Sequence, residues 1–499
     1  MRVEELLFNK ECLKSTFSCL DDYGEWTSDD IIQRTKNLKK KLEKNKLNEL
    51  EKVIVMCENS SLFIVATFAV LAAGGVVIPV DIKMPTAKLE EIIKDMNIRI
   101  LCIFGNKIEF DRSKLIKNNI IILDLNKIDF NQDDPIGRYI VEYKKNKHDP
   151  AFILLTSGTS NKNKYVMLSH EAIVNNLNSI IDYMQPNNND VFYITKTMIH
   201  SSTLVGEILV ALQVGAKLIA RNQVIPTGVM LRQISQYKTT ILCVNPTILR
   251  LMSKAYKENI DLSTIKLIYT SGAIADEYLL KESEKMFHNI NVLNMYGLTE
   301  AGPRVTAQRN YCKYKYGSVG YPVLGVNIYI KNDDFEDCNF DVVGNVYVSS
   351  NSLMIGYLNE DANNKIKNGL LKTGDLGYLD DEGELFIVGR SDDIILNGAH
   401  NINPNIIENI IKKLDNLIEC LIFGVQDQLY GSKIICVIKN DKYLDYSGKD
   451  IFEHCTKYLE LYECPNEILF WDDIPKTNSG KNSRNLASKK YNEFITNFN

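Results

Sequence analysis

The chain reads as an α/β protein, and three observations predict that class. Between about residues 50 and 300, apolar runs of strand length alternate with amphipathic helical stretches. Such alternation argues a parallel, doubly wound sheet with helices on both faces. From about 317 to 389 the pattern changes to short β-rich pieces separated by turn residues, and after about Arg390 a third region mixes helix and strand patterns. At 499 residues the chain is long enough for about three domains of roughly 150 residues, or one large and one small, with no need of staples.

Each element has a local reason. Val53-Ile54-Val55-Met56 is a strand-like run. Leu62 to Val80 is nearly all apolar and close to the length that crosses a bilayer, but Gly74-Gly75 and Pro79 interrupt it. A buried helix over about 60–73, ended by the glycines and followed by strand Val76-Val77-Ile78, accounts for the same residues, so no membrane span is expected. Further strand-like runs are Ile120-Ile121-Ile122-Leu123, Ala151 to Leu155, Ile241-Leu242-Cys243-Val244 and Leu267-Ile268-Tyr269. Ser169 is placed to cap a helix over 169–184. Asp380-Asp381-Glu382-Gly383 reads as a turn between two strands. Beyond it the pattern predicts a helix around 404–414, strands around 419–423 and 434–438, another helix, and a final strand near Ile468.

Composition narrows the function classes. The formal net charge is −5, whereas a nucleic-acid binder shows a basic domain or stripe. Lys39-Lys40-Lys41 sits among Glu and Asn and reads as a solvated helix face. The eleven cysteines include no Cys-x-x-Cys pair, which disfavours a zinc site or a disulfide framework and fits buried thiols in a reducing cytosol. The N-terminal stretch has no long apolar core or small-residue cleavage site, so a cytoplasmic chain without a secretory signal is expected.

The strand at 151–155 runs into Thr156-Ser157-Gly158-Thr159-Ser160-Asn161-Lys162-Asn163-Lys164. Hydroxyls and backbone N–H groups after a strand can donate to phosphate oxygens, and a lysine balances their charge. A Walker A loop counted from Gly158 requires Gly, Lys and Ser or Thr at 163–165; Asn163, Lys164 and Tyr165 stand there instead. On its own the segment also fits a plain polar loop.

Four more motifs follow in order: Asn294-Met295-Tyr296-Gly297-Leu298-Thr299-Glu300, Thr373-Gly374-Asp375, Gly389-Arg390-Ser391-Asp392-Asp393, and Pro475-Lys476-Thr477-Asn478-Ser479-Gly480-Lys481. Together with the phosphate loop, this series resembles the acyl-adenylate-forming ligases, a superfamily of acyl- and aryl-CoA synthetases, luciferases and nonribosomal adenylation domains. The likeness runs from about Trp26 to Leu486 and includes Val-Ile-Pro-Val-Asp at 77–81. Stand-alone acyl- and aryl-acid ligases are the nearest in kind. The resemblance implies a large N-terminal AMP-binding domain (1–390) of doubly wound mixed sheets with a small β-rich subdomain, and a small mobile α+β C-terminal domain (391–499). One departure stands out: the family usually has Gly, Pro and Gly where this chain has Asn161, Asn163 and Tyr165. A loop with fewer glycines is less free to fold over a triphosphate.

The resemblance also implies roles. Thr156, Ser157, Gly158, Thr159, Ser160 and Lys164 would hold the ATP phosphates, with Tyr296 and Gly297 completing the AMP site. Thr299 and Glu300 would lie near the α-phosphate, Glu300 holding Mg²⁺ through a carboxylate oxygen. Asp375 and Arg390 would meet the ribose, where two hydroxyls can donate to one carboxylate. Lys481 would reach the carboxylate and α-phosphate during adenylation, its charge offsetting the negative charge that develops there. Asp392 would be the hinge and Gly398 would line the thiol tunnel. His200 resembles an aromatic-or-His position at the mouth of the acid pocket; a lone His also suits a structural role.

Amino-acid-activating relatives place an aspartate where this chain has Ser201, so an α-ammonium would find no charge there. By the same likeness the acid pocket is lined by Val205, Cys243, Tyr269, Ser271, Met295, Pro303 and Arg304. That mixed wall suits a compact aryl acid or short acyl chain, with Tyr269 closing the floor to long chains. The expected reaction is acid plus ATP to acyl-AMP, then transfer to CoA or to the phosphopantetheine of a stand-alone carrier protein, since no carrier domain follows the Lys481 loop. Two alternatives remain at this level: an amino-acid-activating enzyme, or a nucleotide-binding partner protein that has lost catalysis. The pairing of Lys481 with Glu300 argues against the latter.

Overall fold

A computed structural model describes every residue except 10–15, 106–114, 116–118, 131–145, 158–162, 222–224, 274, 276, 289, 359–364, 398–399, 415–417, 428–430, 441–445, 478–481 and 497–499. The chain divides into two compact units: Met1–Ile328 with Val348–Leu371, and Tyr329–Tyr347 with Lys372–Asn499.

Unit 1 holds two sheets. The seven-stranded sheet runs, in spatial order, Gly356–Tyr357, Asn163–Ser169, Pro150–Ser157, Val76–Pro79, Lys52–Cys57, Ile100–Phe104 and Ile121–Asp124. The nine-stranded sheet runs Tyr321–Pro322, Arg304–Ala307, Val292–Gly297, Leu267–Thr270, Ile241–Val244, Val191–Ile194, Lys217–Ile219, Ser18–Asp21 and Gly24–Thr27. The central strands pair in parallel; antiparallel pairs lie at both edges of the nine-stranded sheet and at the Gly356–Tyr357 edge of the seven-stranded one, whose Ile121–Asp124 edge is parallel, so both sheets are mixed. The antiparallel edge at Pro150–Ser157 and Asn163–Ser169 follows from chain length: the link over 158–162 is too short for the crossover that parallel pairing requires.

The apolar stretch at 62–80 resolves as expected. Helix Ser61–Ala72 is buried along its whole length, and strand Val76–Pro79 follows the two glycines. Its first turn is held by Asp21, which accepts from both the Ser61 backbone N–H and the Ser61 hydroxyl at 2.8 Å. Being buried on every side, the helix has no polar face, and this is why its sequence looks membrane-like. No helix among the described residues is long and apolar enough to cross a membrane. Ser169 caps helix His170–Met184 by accepting from Ala172 N–H at 3.0 Å. That helix and Ser61–Ala72 share one core with strands of both sheets, among them Val53, Val77, Ile194, Cys243, Tyr269 and Met295.

The lysine run departs from its reading. Lys39 lies buried on helix Ser28–Lys44, paired with Glu43 one turn on. Its long stem packs inward while the charge meets a carboxylate.

Unit 2 contains a three-stranded sheet, Cys420–Asp427, Gly431–Lys439 and Glu467–Trp471, with helices Pro404–Leu414, Gly448–Cys455 and Arg484–Thr496. One face of that sheet packs Ile407, Ile411 and Ile451, the other Ala487 and Tyr491. The 380–383 turn joins strands Leu370–Leu379 and Leu385–Arg390, as its residues predict.

Candidate functional site

The segment expected to meet phosphate is flanked by the antiparallel strands Pro150–Ser157 and Asn163–Ser169. Thr156 lies directly across from Lys164, so the two ends of the segment meet although Gly158, Thr159 and Ser160 lie outside the described residues. Of the departures from the glycine-rich pattern, Asn163 and Tyr165 are strand residues rather than loop residues. Tyr165 is buried beneath the sheet with Ile54, Ile78 and Ile153, and its hydroxyl donates to Asp95 at 3.3 Å.

Glu300 sits on a single tight turn, Thr299–Ala301, after strand Val292–Gly297. Gly297 allows this turn: a Cβ there would lie 2.0 Å from the Pro303 carbonyl oxygen, so only glycine lets the returning strand pass. Tyr357 ties the turn to the hairpin. It pairs with Val166, its hydroxyl donates to Glu300 Oε1 at 2.8 Å, and its ring lies 5.1 Å from Lys164 Nζ. Lys164, Tyr357 and Glu300 thus form one wall. No group of three or more metal-binding side chains occurs among the described residues. A lone carboxylate suits Mg²⁺, which takes most of its octahedral shell from phosphates and water.

The expected pocket residues also meet. Cys243, Tyr269 and Met295 are buried on one face of adjoining parallel strands, with Val205 in the same cluster. Tyr269 packs edge-on against Tyr183 at 5.4 Å between centroids, and the Tyr183 hydroxyl lies 3.7 Å from Met295 Sδ. Ser271 and Pro303 are buried, and Ser201 Oγ lies 3.1 Å from Thr299 Oγ1. His200 is exposed and precedes the short helix Ser201–Thr203. Burial pushes the Cys243 thiol and the Tyr183 hydroxyl each up to about 12, so both are neutral at physiological pH.

Sequence reasoning missed Tyr357, Glu207 and Lys196. Tyr357 gave no signal, because one tyrosine in a β-rich stretch looks like core. Glu207 did give one, as the single charge in the apolar stretch from Leu204 to Val214. It lies in a wide π-type turn, Leu204–Leu209, and forms an ion pair with Lys196 at 3.0 Å.

In unit 2, Asp375 and Arg390 are cross-strand partners joined by an ion pair at 3.4 Å. The Asp375 N–H donates to Thr373 Oγ1 at 3.0 Å, and Ser391 Oγ donates to the Gly374 carbonyl at 3.0 Å, so the two motifs fix one another. Asp392 is exposed within the turn Ser391–Asp393. Gly398 and Lys481 lie outside the described residues.

Comparison with known proteins agrees with this layout. The model of the AMP-binding enzyme family matches residues 8–358, and that of the AMP-binding enzyme C-terminal domain matches 406–481. The chain belongs to the AMP-binding enzyme family. A long-chain-fatty-acid–CoA ligase of Yersinia pestis is 26% identical over 479 residues, covering 87% of this chain and 84% of that protein. An indoleacetate–CoA ligase of Aromatoleum aromaticum is 27% identical over 354 residues, covering 68% of each. Among solved structures, ATP-bound MatB from Rhodopseudomonas palustris superposes with a TM-score of 0.88 at 21% identity, covering 99% of this chain and 100% of that one. The o-succinylbenzoate coenzyme A synthetase of Bacillus subtilis gives 0.85 at 21% identity over 97% and 98%. These likenesses establish the fold of this AMP-binding enzyme.

Proposed function

We propose that this AMP-binding enzyme is an ATP-dependent acid–thiol ligase. A carboxylate oxygen attacks the α-phosphorus, pyrophosphate leaves, and an acyl-AMP forms. A thiol then attacks the acyl carbon, AMP leaves, and the thiol proton passes to solvent. CoA is the acceptor this reading favours, since the curated relatives matched are CoA ligases. A carrier protein's phosphopantetheine presents the same arm and is the alternative acceptor.

The observation that carries the reading is the wall of Lys164, Tyr357 and Glu300 beside Thr299. It places a cation, a hydroxyl-anchored carboxylate and the turn that follows the pocket strand in one patch. Bound there, Mg²⁺ would neutralise phosphate charge, with Glu300 as its protein ligand. Lys164 and Thr156 hold phosphate oxygens, Tyr296 and Gly297 flank the nucleotide, and Asp375 with Arg390 takes the ribose. Lys481 offsets charge at phosphorus in the first half-reaction, and His200 stands at the pocket mouth. In this reading Asp392 is the hinge between domains 1–390 and 391–499 and Gly398 lines the thiol path; the family-model matches at 8–358 and 406–481 support a boundary between them. A cytoplasmic location fits a chain with ten described free cysteines.

The pocket favours a compact aryl or short acyl acid over an α-amino acid, because Ser201 offers no charge to an ammonium. ATP–pyrophosphate exchange against aryl, short-chain, long-chain and amino acids tests this, followed by AMP release with CoA or a carrier protein. Exchange with a compact acid is expected. No exchange with any acid would remove the ligase reading, and preference for an α-amino or long-chain acid would remove the pocket reading.

A further inference from the structure

Three charged side chains lie in the acid pocket's core. Arg304 is 2% exposed and Glu207 is 1% exposed, while the Lys196 side chain is 9% exposed. All three lie within electrostatic reach of the Cys243 thiol, which places them around one pocket-wall residue. Two cations face one carboxylate. Glu207 pairs with Lys196 at 3.0 Å, and burial raises its carboxyl group against the pull of Lys196 and, less strongly, Arg304. One carboxylate neutralises one cation, so the guanidinium of Arg304 is left without a full countercharge among the described residues. Its Nε meets no acceptor there.

The fold holds this guanidinium firmly in place. Asn176 grips the Arg304 backbone from both sides, accepting from its N–H at 2.9 Å and donating to its carbonyl at 2.8 Å. Gly206, in the π-type turn, makes room for the side chain: a Cβ there would lie 3.0 Å from Arg304 Nη2. The neutral Tyr183 hydroxyl is a hydrogen-bond partner of the guanidinium but brings no countercharge, and the Arg304 charge also acts on Tyr269. A buried, uncompensated cation is costly unless a ligand completes it. A guanidinium's planar fork matches a carboxylate.

We propose that the acid this enzyme activates carries a second carboxylate, which stays ionised and is received by Arg304. The inference rests on the ligase reading and makes it specific: the substrate class is a compact dicarboxylic acid. The reacting carboxylate belongs at the other end, beside Thr299 and Ser201. Glu207 and Lys196 act as positioning residues that keep a second cation from competing for the ligand.

The test compares each diacid with its own half-ester in pyrophosphate exchange, using succinate, glutarate and isophthalate against their monomethyl esters. The half-ester keeps the reacting group and loses only the distal charge. At least one diacid is expected to exceed its half-ester by about a hundredfold in kcat/KM, because a site built to pair a charge rejects the analogue without it. Arg304→Gln should erase that ratio, chiefly through a raised KM for the diacid. Gly206→Ala keeps the charge but crowds Nη2, and should lower the ratio while the protein still folds. Half-esters or monoacids matching every diacid in the wild type would overturn the proposal and leave the ligase reading standing. Equal loss on both members of a pair in Arg304→Gln, with no ratio change in Gly206→Ala, would make Arg304 structural. Absence of exchange with any acid would remove both readings.

Discussion

The proposed phosphate wall and the proposed acid pocket lie in the same compact unit but are encoded differently. Thr156, Lys164, Thr299 and Glu300 stand in contiguous motifs at strand ends, where the backbone is free to turn and side chains reach outward. Cys243, Tyr269 and Met295 lie singly on parallel strands, and Glu207 and Arg304 join them from a helix and an antiparallel edge. A phosphate is the same in every reaction of this class, so its contacts can be stereotyped. The acid varies, and its contacts are dispersed. The contrast teaches which variants should act on every acid alike and which should re-rank acids.

The largest effect is expected at Lys481, the lysine proposed for the first half-reaction. Lys481→Ala should lower acyl-AMP formation by about a thousandfold, equally for all acids, since it removes charge that acts on the transition state. Thioester formation from supplied acyl-AMP should stay within a few-fold. Separate assays of the two half-reactions check this, and equal loss in both would take Lys481 out of the first step.

Glu300→Gln should follow, with a loss of about a hundredfold at limiting Mg²⁺, because an amide keeps the shape but not the charge that holds a hard cation. A Mg²⁺ titration of exchange is the measurement. Undiminished turnover at low metal would separate Glu300 from the cation.

Tyr269→Gly moves to the other side of the comparison. The ring is fully buried and packed on Tyr183, so its removal should cost about 3–5 kcal/mol of stability in the free protein. Longer acids should gain relative to aryl acids, read as a change in kcat/KM ratio. Loss for all acids with no re-ranking would make Tyr269 core rather than pocket floor.

Tyr357→Phe is expected to act more weakly. Losing one hydrogen bond to a charged carboxylate is worth about 1.5–3 kcal/mol, so turnover should fall by tenfold or somewhat more, alike for every acid. A change in acid preference would break the division between wall and pocket.

The smallest effect concerns Cys243. Burial holds its thiol at about 12, so at pH 8 it stays protonated in the folded protein and should escape iodoacetamide, while half-buried Cys312 reacts first. Peptide mass mapping checks the order, and bound acid should leave it unchanged.

The sequence by itself determined the alternating fold, the helix at 61–72 and the motifs that hold Lys164 and Glu300. Apolar periodicity and turn residues are local properties, and the motif residues act from chain segments that carry their own geometry. It also supplied most of the pocket list, through likeness to a family. Tertiary structure decided the rest. Tyr165 was read in sequence as part of a stiffened loop, yet it points into a core because the chain turns back as a hairpin. Tyr357 became the anchor of Glu300 only when strand Gly356–Tyr357 paired with Asn163–Ser169. Arg304 lies far along the chain from Lys196 and Glu207, and no local pattern brings the three charges together. Their net positive charge is a property of the space they share, because burial, not sequence, sets what a charge costs and what must meet it.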